Sequence, residues 1–312
     1  MSEPRSGKVA SSAGSGNGPL RGHGLLAKLG WALRSDAGHG RPRNEDFAGV
    51  FAPTTPDDAW DRGPLFVVCD GRGDNGAGAL ASRTAVEAAL AEWTGPDPSG
   101  AAVAIRAAAS AANDAVCAAA RTGGQPGMAT TFTALTLAGR EAVIVHLGYS
   151  RCYLVRSGMC TQLTADHAVV EETWPEVPPG LEPPGTDPAH PESPGRRPQL
   201  LGAPGSEGAV QVDLFMADTE AGDVFVLCSD GLSQAVTPGE IAQWAGAVGA
   251  PAAPTVVDAA EELVDMALEA GASDNVTILV VKVTTNRAVP ATGSRRPFFR
   301  RDRRWRAFTP PR

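Results

Sequence analysis

The sequence predicts a single α+β domain over about residues 28–285, in which helices and strands occur in blocks. Short apolar segments rich in β-branched residues, separated by glycine-containing turns, predict antiparallel strands in the middle of the chain. Alanine-rich segments with an apolar stripe predict helices on either side of them. The pattern lacks the regular alternation of strand and helix that indicates a parallel sheet, and it therefore favours the α+β class.

The composition is that of a soluble globular protein. Of its 312 residues, 43% are hydrophobic and 20% are charged, which is ordinary for a packed domain. No apolar run approaches the roughly 18 residues that a membrane helix needs, and the amino terminus lacks the apolar core of a secretory signal. Five cysteines without paired spacing favour a reducing cytoplasm over a disulfide framework.

The first half of the domain contains one strand and two helices. The segment "LFVVC" at 65–69 predicts a buried strand. A glycine-rich turn follows it, and then two alanine-rich helices at 79–93 and 99–121, with Ser99 as the expected N-cap of the second.

A meander of three or four short strands is expected over residues 129–164, because apolar segments alternate there with turns that contain glycine. After it comes a flap-like loop at 167–208, which is too rich in proline for regular structure. A loop of that length inside a compact domain is either functional or disordered. The domain then resumes with a strand at 223–228, helices at 238–248 and 254–270, and a strand at 275–283.

The two termini differ from the domain between them. Residues 1–27 are rich in glycine and serine, and they predict a disordered leader. Residues 286–312 predict a basic disordered tail, with nine arginines and one aspartate from Arg287 onward giving a charge of +8. Because the whole chain carries −8, residues 1–286 carry −16. Such an acidic body disfavours nucleic acid as a partner, whereas the arginine-rich and aromatic tail could contact an acidic partner or anionic lipid.

Four aspartates border predicted buried strands: Asp46, Asp70, Asp230 and Asp274. Any one of them could simply be a turn former, since Asp-Gly and Asp-Asn favour turns. Four in one domain point to a shared site. If they converge, each pair at about 4 Å repels by about 4 kcal/mol at an effective dielectric constant of 20, so a cation is needed among them. Oxygen ligands select Mg²⁺ or Mn²⁺, and a pair of such ions is typical of phosphoryl transfer to water.

These residues also carry a family resemblance. The ordered segments "SDAGHGRPRNED", "VVCDGRGDNGAGALAS", "ATTFTAL", "VHLGYSRCYLVRSG", "LTADH", "VLCSDGL" and "SDNVTILVV" extend over about 31–283. Together they resemble the metal-dependent serine/threonine protein phosphatases (the PPM family, type 2C) in their bacterial form. The resemblance implies a four-layer α-β-β-α sandwich, in which two antiparallel sheets are flanked by helices.

The resemblance further implies a binuclear Mn²⁺ or Mg²⁺ centre in which a bridging hydroxide attacks phosphorus directly. Arg41 would bind the substrate phosphate, for which a planar guanidinium is well shaped. Asp36 and Glu45 would lie in the shell behind the ligands, where Glu45 would accept from bound water. The implied metal ligands are the four carboxylates and one backbone carbonyl, namely Asp46, Asp70, Gly71, Asp230 and Asp274. A glycine at position 71 would relieve a tight turn.

Several positions depart from the family pattern, among them Asp74-Asn75 in place of glycine-histidine, and two departures bear directly on the site. Tyr149 stands where bacterial members carry an aspartate that serves a third, weaker metal site, so a third ion is expected to bind weakly or not at all. Arg72 stands where the pattern has methionine, and it could help to bind phosphate or pair with Asp74. We favour the pairing, because exposed ion pairs of this kind are common.

Two functions from different classes remain open on the sequence. The first is hydrolysis of phosphoserine and phosphothreonine on proteins, opposing a serine/threonine kinase in the cytoplasm. The second is a pseudophosphatase that binds or regulates partners without turnover, which the changes at Arg72 and Tyr149 and the unusual flap would fit.

Overall fold

Two antiparallel sheets form the centre of the protein. The computed structural model describes residues 7–11, 20–26, 29–53, 62–95, 99–125, 127–167, 212–248, 254–284 and 299–302. All strand pairs in these ranges are antiparallel. We number strands and helices along the chain.

The first sheet has eight strands, with the order β1-β4-β5-β7-β8-β11-β14 and β6 paired to β5. Its strands are β1 (Gly7–Ser11), β4 (Asp46–Pro53), β5 (Leu65–Arg72), β6 (Ala129–Thr130), β7 (Phe132–Ala138), β8 (Glu141–Leu147), β11 (Asp213–Asp218) and β14 (Phe299–Asp302).

The second sheet has six strands in the order β10-β9-β12-β13-β3-β2. They are β2 (Leu20–Leu26), β3 (Leu29–Asp36), β9 (Arg151–Arg156), β10 (Met159–Gln162), β12 (Val224–Cys228) and β13 (Val276–Val283).

Helices cover the outer face of each sheet. Helices α1 (Ala77–Thr94) and α2 (Ala101–Gly123) pack on the first sheet, and a single 3₁₀ turn at Asp74–Gly76 leads into α1. Helices α3 (Asp230–Ala235), α4 (Pro238–Ala247) and α5 (Val256–Glu269) pack on the second sheet. No helix in the described part of the chain combines the length and apolar character needed to span a bilayer.

Three apolar cores hold these four layers together. Trp93 belongs to the core between the first sheet and its helices, Phe66 and Phe225 to the core between the two sheets, and Leu263 to the core under α5. Both faces of each sheet are therefore buried. This explains why strands such as "LFVVC" are continuously apolar instead of alternating with polar residues.

The predicted α+β class and the four-layer sandwich are confirmed. The predicted strands and helices are present within a few residues of their expected ends. The prediction of Ser99 as an N-cap is wrong, because the N-cap of α2 is Gly100 and no side chain caps that end. The short helix α3, which begins at Asp230, was not predicted.

Three segments within the predicted leader (1–27) and tail (286–312) form strands. Strand β1 pairs with β4, β2 pairs with β3, and β14 pairs with β11. The backbone groups of a sheet edge can pair with an added strand of almost any composition, so composition alone did not indicate these strands. Apart from His167, the predicted flap-like loop at 167–208 lies outside the described residues, as does the rest of the tail.

Truncating a side chain between the two sheets should destabilise the whole fold. Phe225 is fully buried in that core, so Phe225→Ala is expected to lower the free energy of unfolding by about 3–5 kcal/mol. Val103 is 59% exposed, and Val103→Ala should cost less than about 0.5 kcal/mol. Equilibrium unfolding in urea measures both variants. Equal losses for the two would contradict the described layer arrangement.

Candidate metal centre

The four predicted aspartates lie at the same end of the two sheets. Asp46 opens β4 and is the cross-strand partner of Asp70 in β5. Asp230 begins α3 with one residue separating it from the end of β12, and Asp274 lies in the turn before β13. The carboxyl groups of Asp70 and Asp230 are close enough to hydrogen-bond when one is protonated. The charge of Asp274 acts on the other three. The four carboxylates therefore lie near one another at one end of the sheets, without three of them at metal-ligand distances in the described ranges.

The burial pattern of β4 and β5 explains how the first sheet aims its two carboxylates. Phe47, Leu65 and Val67 pack on the helix side, whereas Ala48 and Phe66 pack against the second sheet. Successive residues of a strand point to opposite faces, so Asp46 and Asp70 face the second sheet, where Asp230 and Asp274 are located. We call the space among these four carboxylates the acidic pit.

Burial and mutual repulsion raise the pKa values of Asp46, Asp70 and Asp230. Desolvation is the main cause in each case, and the neighbouring carboxylates add to it. The pKa of Asp46 rises to about 7, that of Asp230 to about 6, and the pKa of Asp70 rises well above its usual value. These carboxyl groups resist ionisation because their negative charges would repel one another. A bound cation would stabilise their ionised form.

Two buried carboxylate oxygens in the pit have no hydrogen-bond donor: Asp46 Oδ1 and Asp230 Oδ1. The opposite oxygen of each group does have one. Ser229 Oγ donates to Asp46 Oδ2 at 2.6 Å, and Gln234 Nε2 donates to Asp230 Oδ2 at 2.9 Å. Each carboxylate is therefore oriented by one oxygen while the other remains available, as ligation of a divalent ion requires.

Within the described ranges, no three His, Cys, Asp or Glu side chains are already drawn together at metal-ligand distances. Arg41 Nη2 donates to Asp274 Oδ2 at 2.7 Å and holds that carboxylate in an ion pair. Repulsion disfavours a closer approach of the carboxylates while no cation lies among them. The chemistry of the donor set nevertheless fits Mg²⁺ or Mn²⁺, since it consists of oxygen atoms alone.

Two side chains that the sequence interpretation missed position the pit. Asn275 accepts from Glu45 N at 2.8 Å and donates to the carbonyl oxygens of Ala37 and Arg43 at 2.8 and 3.0 Å, so it fixes the loop that carries Arg41. Ser229 Oγ accepts from Thr277 N at 2.9 Å while it donates to Asp46. Each of these two residues stands next to a predicted metal ligand in the sequence. This position was the only signal from which the sequence could have indicated a role for them.

The backbone of Asp70 is fixed by neighbouring hydroxyl groups. Its N–H donates to Thr131 Oγ1 at 2.9 Å, and its carbonyl oxygen accepts from Thr130 Oγ1 at 2.8 Å. Thr131 Oγ1 in turn shares a hydrogen bond of 2.6 Å with Ser150 Oγ. The two threonine hydroxyl groups of the segment "ATTF" therefore hold the backbone of Asp70 in place.

Asp36 and Glu45 have different positions. Asp36 Oδ1 accepts from Gly38 N at 3.0 Å, so it stabilises the turn after β3. Glu45 is half-buried, and burial raises the pKa of its carboxyl group. Its backbone oxygen accepts from Gly71 N at 3.1 Å and from Ser82 Oγ at 2.6 Å, which ties the pit to α1.

Gly71 is required by a close approach of backbones and not by a tight turn. It lies within β5 and is not among the residues with positive φ, so the reason predicted from the sequence is wrong. A Cβ at this position would lie 2.0 Å from the carbonyl oxygen of Gly78 and 2.6 Å from that of Glu45. Any side chain would push the start of α1 away from β5.

Tyr149 and Arg72 both lie at the rim of the pit. The Tyr149 hydroxyl donates to Asp70 Oδ1 at 3.5 Å, and burial raises the pKa of this phenol, which therefore stays neutral. Arg72 is exposed at the end of β5, and its charge lowers the pKa values of Tyr149 and Asp230.

Comparison with curated proteins finds bacterial phosphatases. The chain is 36% identical to the serine/threonine protein phosphatase PstP of Mycobacterium tuberculosis over 259 residues, which are 82% of this chain and 45% of that protein. It is 31% identical to the serine/threonine phosphatase stp of Listeria innocua over 255 residues, or 80% of this chain and 94% of that protein. The chain thus spans less than half the length of the mycobacterial relative. No model of a known protein family matches.

Solved structures give the same result. The crystal structure of the Mycobacterium tuberculosis serine/threonine phosphatase PstP/Ppp superimposes with a TM-score of 0.63 at 33% identity, covering 82% of this chain and 99% of that one. The catalytic domain of PstP in complex with two manganese ions gives 0.62 at 33% identity, with the same coverage. A Streptococcus agalactiae serine/threonine phosphatase gives 0.65 at 26% identity, again covering 82% and 99%.

The raised pKa values predict how stability depends on pH when divalent ions are removed with EDTA. Between the ordinary aspartate pKa near 4 and the folded values of about 7 for Asp46 and about 6 for Asp230, the folded state holds protons that the unfolded chain has released. The stabilisation that these protons give the folded state is full below the pKa of the unfolded chain. It is lost as the pH rises through the pKa of the folded state. The melting temperature should therefore fall from about pH 5 to about pH 8.

Two variants test the origin of this slope. Asp46→Asn should flatten it, whereas Asp114→Asn removes an exposed carboxylate on α2 and should leave it unchanged. Differential scanning calorimetry in EDTA provides the measurement. A melting temperature that rises between pH 5 and pH 8 would contradict the electrostatic account of the pit.

Proposed function

We propose that this chain, which belongs to the bacterial PP2C-type family of metal-dependent serine/threonine protein phosphatases, hydrolyses phosphoserine and phosphothreonine on proteins. The observation that carries the proposal is the meeting of Asp46, Asp70, Asp230 and Asp274 in one buried pit. The names of the relatives at 31–36% identity support the same activity.

The pit would hold two Mn²⁺ or Mg²⁺ ions through its four carboxylates and the carbonyl oxygen of Gly71. The donor-free oxygens of Asp46 and Asp230 support this assignment. When bound, the ions would lower the pKa of water for direct attack on phosphorus and neutralise charge on the phosphate oxygens. The chain's own part is to fix the carboxylates, which Ser229 and the hydroxyl groups around Asp70 do.

Arg41 is the phosphate-binding residue in this proposal. Its side chain is 52% exposed, and its guanidinium is anchored to Asp274 on one side. A planar fork held in this way can present paired N–H groups to two phosphate oxygens. Glu45, whose carboxyl pKa is raised by burial, would accept a proton or hydrogen bond from water behind the ligands. Asp36 would act only by shaping the turn that precedes Arg41.

The substrates we propose are phosphoproteins made by a serine/threonine kinase in the cytoplasm. All five cysteines are free, and three of them are buried, which agrees with a reducing compartment. The arginines of the basic tail support a contact with an acidic partner or with anionic lipid.

The first test is turnover. We expect Mn²⁺-dependent release of phosphate from p-nitrophenyl phosphate and from a phosphothreonine peptide. Because Asp230 supplies one of the donor-free oxygens, Asp230→Asn should lower kcat/KM by about 100-fold or more. Asp114→Asn, on the exposed face of α2, serves as the matched control. Should the wild-type chain show no metal-dependent turnover above Asp230→Asn, the pseudophosphatase alternative would take its place.

The second test is the number of ions bound. Because Tyr149 offers a neutral phenol where a third carboxylate would be needed, we expect two Mn²⁺ ions per chain and a third that is weak or missing. Equilibrium dialysis with elemental analysis gives the stoichiometry, and Asp230→Asn should reduce it. Three tightly bound ions in the wild-type chain would show that Tyr149 does not have this effect.

A further inference from the structure

Strand geometry places Arg72 on the same face of β5 as Asp70. The side chains at 65, 67 and 69 pack against α1 and α2, and those at 66 and 68 pack toward the second sheet. Gly71 continues the first set, since a Cβ there would meet Gly78 at the start of α1. Asp70 and Arg72 continue the second set. Arg72 therefore leaves the strand toward the acidic pit and not toward the helices.

Tyr149 and Asp230 mark the side of the pit that Arg72 approaches. The Tyr149 hydroxyl is 3.5 Å from Asp70 Oδ1, and the Arg72 charge lowers the pKa values of both Tyr149 and Asp230. Arg41 is paired with Asp274, and the charges of both arginines lower the pKa of Asp230. Two guanidinium groups thus act on one acidic pit.

The two departures from the family pattern compensate each other in charge. The resemblance predicts an aspartate and a third ion where this chain has Tyr149, and methionine where it has Arg72. Replacing aspartate by tyrosine removes one negative charge and, with it, the third divalent ion. Replacing methionine by arginine adds one permanent positive charge. Together with the third ion where one binds, the two positions contribute +1 in both arrangements.

We propose that Arg72 binds the substrate phosphate from the Tyr149 side of the pit and supplies there the positive charge for which relatives with an aspartate would use a third divalent ion. This inference rests on the proposed function. Arg72 and Arg41 then contact different phosphate oxygens, and Tyr149 beside Asp70 stays neutral because burial raises its pKa. The charge is covalently attached, so it does not depend on the metal concentration.

The test compares phosphate binding and turnover in matched variants. Arg72→Met should weaken the binding of inorganic phosphate to the Mn²⁺-loaded protein about tenfold and lower kcat/KM for a phosphothreonine peptide by a similar factor, because a hydrogen bond to a charged group is lost. Arg72→Lys, which keeps the charge, should lose less than Arg72→Met. Arg121→Met removes the same charge from the exposed end of α2 and is the control. Isothermal titration calorimetry and initial rates provide the two measurements.

A double variant tests whether Arg72 takes the place of a third divalent ion as the source of positive charge. Arg72→Met combined with Tyr149→Asp should bind a third Mn²⁺ ion and regain phosphate affinity only at high Mn²⁺ concentration. Tyr149→Asp alone should bind two ions, because Arg72 would neutralise the new carboxylate. A double variant that binds two ions, or that gains the third without regaining phosphate affinity, would overturn the inference.

The outcomes also separate this inference from the proposed function. If the wild-type chain turns over and Arg72→Met remains within twofold of Arg121→Met in both measurements, the inference fails while the phosphatase assignment stands. If the wild-type chain does not turn over but Arg72→Met still weakens phosphate binding about tenfold, the assignment fails and Arg72 remains a phosphate-binding residue.

Discussion

The electrostatic cost of burying four carboxylates together is the constraint on which the rest of the structure depends. Each close pair costs about 4 kcal/mol at an effective dielectric constant of 20, so the chain cannot assemble the pit through the carboxylates themselves. The positions of the carboxylates must therefore be fixed by other interactions of the fold. Antiparallel pairing does this for Asp46 and Asp70, which face each other across β4 and β5. The turns that end β12 and precede β13 do it for Asp230 and Asp274.

The two sheets are joined at this end by hydrogen bonds as well as by apolar packing. Ser229 connects Asp46 of the first sheet with the backbone of Thr277 in the second, and Asn275 connects the second sheet with Glu45. Both contacts require that the sheets keep their separation, which the core containing Phe66 and Phe225 sets. Stability and site geometry are therefore coupled: loosening the core between the sheets would also move the pairs of carboxylates relative to each other.

The carboxylates and the fold class were predictable because their signals are local. An apolar run that borders Asp-Gly or Asp-Asn can be recognised within ten residues, and so can a meander. Ser229 and Asn275 could not be assigned a role, because each acts through residues far along the chain; the contact of Ser229 with Asp46 spans 183 positions. The reason for Gly71 depends on the approach of Gly78 and Glu45, which no local pattern contains. Strands β1, β2 and β14 were missed because an edge strand is held by its backbone, which composition does not report.

The ion pair between Arg41 and Asp274 links the two halves of the proposed chemistry. As long as Asp274 Oδ2 accepts from Arg41 at 2.7 Å, that oxygen is shared between a guanidinium and whatever cation the pit receives. A divalent ion bound to Asp274 would share that carboxylate with Arg41 and would add positive charge beside the proposed phosphate site. Coupling between two binding equilibria is reciprocal, so phosphate would favour the ions to the same extent that the ions favour phosphate. In the proposed chemistry, the ion pair that orients Arg41 is the element through which metal and substrate binding would depend on each other.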